Sequence, residues 1–124
     1  MHRPLIAIVN DAPQIVRLLE TILHESGYRT ISHPHGAGAV ALLHAVQPAL
    51  LILNIRMEQL HTGWQVLDDL RRDPAFVQLP VLIHSAYPQI AAQVAARADP
   101  YCTALPLFSE LDTLPTLVAQ LLPA

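Results

Sequence analysis

A chain of 124 residues is long enough for one compact domain with a real core and too short for two. Apolar residues make up 52% of it and charged residues 14%, which excludes a disordered chain, and a net charge of −3 without a basic cluster argues against nucleic acid or an anionic membrane as partner. All seven Lys+Arg residues are arginine, so every mechanism that needs a lysine ammonium is excluded, and the single cysteine, Cys102, permits no internal disulfide.

No stretch reaches the roughly 18 uninterrupted apolar residues of a membrane span, and "MHRPLIAIVND" meets an acid too early for a signal peptide. The expectation is one cytoplasmic domain over residues 1–124. "PLIAIVN" is a continuous apolar run, the pattern of a parallel strand covered on both faces. Ile15, Leu18, Leu19 and Ile22 then recur at helical spacing, with Pro13 suited to the first turn and Gly27 to the stop. "YRTIS" reads as a short second strand and "GAGAVALLHAVQ" as a small-residue helix closed by Pro48. "LLILN" is the third strand, "GWQVLDDLRR" the third helix ended by Asp73-Pro74, "PVLIHS" the fourth strand and "PQIAAQVAARA" the fourth helix. "YCTAL" is the last strand, with Cys102 packed as a small apolar side chain. The last helix starts at Asp112 as N-cap, since Pro115 is tolerated only in a first turn, and Leu114, Val118 and Leu121 form its stripe.

Five strands alternating with five helices imply right-handed βαβ crossovers and a doubly wound α/β sheet. In such sheets the site lies beyond the carboxyl ends of the strands. The residues there are Asn10 and Asp11, Asn54, His84 and Ser85, and Leu105-Pro106. Taken alone, Asn54 is an ordinary backbone-bonding turn residue.

"IVNDAP", "LLILNIRM", "LIHSA" and "LPLF", at four successive strand ends, resemble the receiver domains of two-component response regulators, and the resemblance runs from Leu5 to Leu122. It departs by about one extra residue between Asn54 and Gly63 and another between Tyr101 and Pro106. The resemblance implies a (βα)5 flavodoxin-like fold with parallel strand order 2-1-3-4-5 and a cis Leu105–Pro106 bond. It also implies an acidic pair at Asn10-Asp11, a phospho-acceptor aspartate at Asn54, a switch hydroxyl at Ser85, a switch aromatic near Tyr101 and a lysine at Leu105.

At three of these positions the functional group is missing. An amide has no carboxylate to attack phosphorus, so acyl-phosphate chemistry cannot start at Asn54. Asp11 is the one acid that clearly points to the site, with Glu58 possible across the loop, so weak or absent Mg²⁺ binding is expected and no cofactor. Leu105 fits that loss, because a buried ammonium without its carboxylates is costly. Ser85 is expected to bond to Asn54 or backbone, Tyr101 to be packed, Arg56 to be solvated rather than folded onto Asp11, and Trp64 to cover part of the loop. The "HPH" pair His33 and His35 lacks a third ligand for zinc.

Two functional classes follow. One is a non-enzymatic, phosphorylation-independent signalling module of a two-component or phosphorelay system, meeting a protein partner or a second copy through helix four, strand five and helix five. The other is a small-ligand-binding or hydrolytic domain using Asp11, His84 and Ser85 in the crevice. Adjacent strand residues point to opposite faces, which disfavours His84 activating Ser85.

Overall fold

The computed structural model describes residues 3–106 and 111–122. Its strands are β1 (Leu5–Val9), β2 (Arg29–His33), β3 (Leu50–Leu53), β4 (Val81–Ser85) and β5 (Cys102–Pro106). Between and after them run α1 (Pro13–Glu25), α2 (Ala39–Val46), α3 (Thr62–Arg71), α4 (Ile90–Arg97) and α5 (Leu114–Leu121), the last preceded by a 3₁₀ turn over Leu111–Thr113. All neighbouring strands pair in parallel and the order is β2-β1-β3-β4-β5. This is the doubly wound sheet expected from the alternation of apolar runs and helical stripes, in the flavodoxin-like strand order that the resemblance implies.

Side-chain alternation divides the core in two. Ala7, Val9, Leu51, Leu53, Val81 and Ile83 meet α2, α3 and α4 on one face. Ile6, Ile8, Leu50, Ile52, Leu82 and Leu105 meet α1 and α5 on the other. Each fully buried aliphatic side chain contributes about 1.5–3 kcal/mol relative to exposure, so these two layers carry most of the stability. Arg71 closes the far end of the sheet: it bonds Asp99 at 2.7 Å and the carbonyls of Phe76 at 2.7 Å and Tyr101 at 3.3 Å.

Several boundaries differ from the sequence reading. The second helix starts at Ala39 rather than Gly36, because Gly38 takes a left-handed conformation at φ 80 that a helix cannot continue through. Asp112 falls inside the 3₁₀ turn and Thr113 occupies the N-cap of α5. In α1 the inward residues are Leu19 and Leu23, and Leu18 faces outward. No cis peptide bond is found among the described residues. The expected cis Leu105–Pro106 bond falls at the edge of the described residues and outside that set; β5 runs to this edge with Leu105 opposite His84 and Pro106 opposite Ser85.

The contact that places the site is made by Gly63. Its N–H donates to the Ile55 carbonyl at 2.8 Å, so the first turn of α3 lies directly on the end of β3. A Cβ at this position would collide with the Asn54 carbonyl oxygen and the Ile55 Cα, both backbone atoms that cannot swing aside. Gly63→Ala is expected to lower stability by about 1–3 kcal/mol, the usual range for overpacking, measured as the urea midpoint at constant m.

Candidate functional site

The sheet delivers its first polar side chains where the apolar runs end. Asn10 and Asn54 each extend the ladder by one bond, Asn10 N–H to the His33 carbonyl at 3.1 Å and Asn54 N–H to the Val9 carbonyl at 2.9 Å. With Ser85 they line a cavity of about 380 Å³, walled by Ala12 and Ile15 of the α1 entry and by Pro88 before α4. Arg56 and Tyr87 form its rim, the guanidinium stacked 3.6 Å above the ring centroid.

The Asn54 amide uses both of its ends. Its Oδ1 accepts from Ile55 N–H at 2.9 Å, while Nδ2 donates to the Arg56 carbonyl at 2.8 Å and, at 3.4 Å, to Asp11 Oδ1. A carboxylate could make only the first of these bonds. Asn10 closes a local turn, Oδ1 accepting from Ala12 N–H at 2.9 Å. Ser85 Oγ accepts from Tyr87 N–H at 3.3 Å, a bond to backbone.

Other predicted residues are placed elsewhere. Glu58 turns away from Asp11 and takes Gly36 N–H at 2.8 Å and Ala37 N–H at 2.9 Å before α2. Those amides hold its carboxyl at about 2, well below its ordinary 4.5. Tyr101 is 39% exposed in the turn before β5, with its carbonyl accepting from Val81 N–H. It therefore sits at the amino end of β4, the opposite end of the sheet from Asn54, and is neither packed nor part of the cavity. Leu105, where the resemblance implies a lysine, is 1% exposed and packs within the α1/α5 core. His84 is buried, one residue from Ser85 and so on the other face of β4. Arg56 lies over Tyr87 rather than Asp11. Trp64 does not line the cavity: Arg97 stacks over it at 4.7 Å, and Arg97 also pairs with Asp68. Burial pushes the Cys102 thiol up to about 11, which keeps it neutral in the core.

Tyr87 is the site residue that sequence reading missed. The available signal was an aromatic two residues beyond Ser85, at the mouth of a strand end.

A hard dication asks for several oxygens including one or two carboxylates. Among the described residues the cavity region offers Asp11 alone, and the side-chain oxygens of Asn10 and Asn54 already accept backbone N–H bonds. The donor set does not fit such an ion, and no group of three His, Cys, Asp or Glu able to hold a metal occurs among the described residues.

Comparison with known proteins places this geometry. The family model described as the response regulator receiver domain matches residues 6–100. The DNA-binding dual master transcriptional regulator RpaA of Synechocystis is 32% identical over 103 residues, 81% of this chain and 42% of that protein. The transcriptional regulatory protein KdpE of Mycobacterium tuberculosis is 32% identical over 102 residues, 80% of this chain and 43% of that protein. The chain thus spans well under half the length of both. Among solved structures, the N-terminal domain of a response regulator receiver protein from Methanoculleus marisnigri JR1 is 28% identical with a TM-score of 0.76, covering 98% of each chain. Response regulator TrrA from Thermotoga maritima, solved in complex with Mg²⁺ and BeF, shares the fold at a TM-score of 0.78 and 24% identity, over 96% of this chain and 99% of that one.

The Glu58 tie predicts an acid-sensitive loop. A carboxyl with a depressed folded pKa contributes stability that is complete above its ordinary value of 4.5 and is lost as pH falls toward about 2. Amide exchange at Gly36 and Ala37 is expected to accelerate across that window, and Glu58→Gln is expected to remove the pH dependence.

Proposed function

The chain belongs to the response regulator receiver domain family, and from that membership we propose a pseudo-receiver, a signalling module that works without being phosphorylated. The observation that carries this reading is the Asn54 amide, which stands at the acceptor position and is bound on three sides by Ile55, Arg56 and Asp11. Two further substitutions agree with it. Asn10 replaces one acid of the pair, and Leu105 leaves no cation for charge developing on phosphoryl oxygens. On this reading Mg²⁺ binds weakly or not at all, and Asn54, Asn10, Asp11, Ser85, Leu105 and Pro106 mark a pocket kept as architecture rather than chemistry.

The module acts through a protein partner, or a second copy, on the α4, β5 and α5 face, as a single cytoplasmic domain over residues 1–124. The two curated relatives are transcriptional regulators by name, which supports a place in two-component signalling. Direct contact of these residues with nucleic acid or membrane forms no part of the proposal; no helix among the described residues is long and apolar enough to cross a membrane. Hydrolysis by a His84–Ser85 pair is disfavoured, because the two side chains leave β4 on opposite faces.

Incubation with acetyl phosphate and Mg²⁺ is expected to leave the intact mass unchanged, and a stable phosphoryl adduct mapping to this cavity would overturn the reading. Calorimetry with Mg²⁺ is expected to be flat for the unmodified chain. Asn10→Asp and Asn54→Asp together should restore a saturable heat, and either alone should restore less, because both act on one ion.

A further inference from the structure

Asn10 and Ser85 are almost fully buried, 4% and 3% exposed, and both line the same cavity, Asn10 standing between it and the adjoining one. Asn10 Oδ1 faces Ala12 N–H, which turns Nδ2 the other way, and Nδ2 has no acceptor among the described residues. Ser85 Oγ accepts from Tyr87 N–H, and its hydroxyl hydrogen likewise meets none. The Arg56 guanidinium, held over Tyr87, has no carboxylate partner among the described residues. Donors on two buried residues and the exposed Arg56 guanidinium therefore line one cavity in which no protein acceptor meets them.

The walls narrow the choice of ligand. Ile15, Pro88 and their alanine neighbours present apolar surface, and about 380 Å³ is far more room than an inorganic anion fills. The nearest acid, Asp11, lines the adjoining cavity of about 270 Å³, so this one has a single cationic side chain and suits one negative charge rather than two. A neutral amide would bring N–H groups that find no free acceptor on Asn10 or Asn54.

We propose that the cavity binds a small organic monocarboxylate, its oxygens accepting from Asn10 Nδ2, Ser85 Oγ and Arg56 and its aromatic or branched body lying against Ile15 and Pro88. Such a ligand would give a receiver without phosphorylation a non-covalent input at the same strand ends, so the idea rests on the pseudo-receiver reading.

The test titrates the full chain, ¹⁵N-labelled, with benzoate, isovalerate, benzamide and inorganic phosphate. Benzoate or isovalerate is expected to give saturable shifts at the amides of Ala12, Ala86 and Tyr87, at least tenfold tighter than benzamide or phosphate. Asn10→Asp keeps the acceptor for Ala12 N–H and exchanges the donor for a carboxylate, and it should weaken benzoate at least tenfold. Ser85→Ala should weaken it severalfold, with thermal melts confirming that both variants fold. No saturable response to either carboxylate, equal binding of benzamide or phosphate, or unchanged affinity in both variants would overturn the proposal. A phosphoryl adduct on the unmodified chain would remove the pseudo-receiver reading and this inference together, whereas no adduct and no carboxylate binding would remove this inference alone.

Discussion

Where a parallel sheet is covered on both faces, as at its central strands β1 and β3, nothing polar survives along a strand's length, and the change of character is pushed to the ends. β3 is buried at all four positions, and the next residue is Asn54. The same rule governs β1, where Val9 is followed by Asn10. Val9 and Leu53 pack toward α2, α3 and α4, so the residues after them emerge on the opposite side, against the start of α1. Strand register then sets how close they come, since Val9 and Leu53 are direct partners. The site is thus a consequence of core packing before it is a matter of chemistry.

Within that geometry, an amide and a carboxylate are very different objects. Asn54 accepts from one neighbour and donates to two others, one of which is itself an acid. An aspartate there would face Asp11 charge to charge, and only a cation between them would make the arrangement favourable. Leu105 extends the same logic inward, because its place in the α1/α5 core is one where an ammonium would lose its hydration without gaining a carboxylate. The three positions share one electrostatic balance: with amides at Asn10 and Asn54, a cation at Leu105 would have little negative charge to answer it.

The fold was legible because its continuous strand runs and its helical stripes of period 3.6 are both written in apolar residues. The cavity floor was legible for the related reason that strand ends are where polarity first appears. What escaped were side-chain directions off regular structure. Glu58 and Arg56 sit in one loop and no periodicity fixes their aim; backbone N–H groups near α2 claim the first, and the Tyr87 ring claims the second. Tyr101 was expected in the packed interior of β5, yet the strand begins one residue later, and a one-residue shift moves a side chain to another environment. Trp64 follows Gly63 in sequence, but a step of about 100° around α3 carries it to the α4 side, beside Arg97.

The loop from β3 to α3 shows how a strand-end pocket can keep its shape through protein bonds. On one side the Asn54 amide ties the start of the loop to Arg56 and Asp11; on the other, Glu58 bonds two amides ahead of α2. Gln59 N–H donates to Thr62 Oγ1 at 2.9 Å, and Gly63 N–H returns to the Ile55 carbonyl at 2.8 Å, which closes the loop on itself. Anchors on both flanks leave the loop little freedom to swing across the cavity, so the rim made by Arg56 and Tyr87 stands over a preformed space. A preformed space lined by fixed donors lowers the ordering cost of binding, since little of the protein has to be immobilised when a ligand arrives.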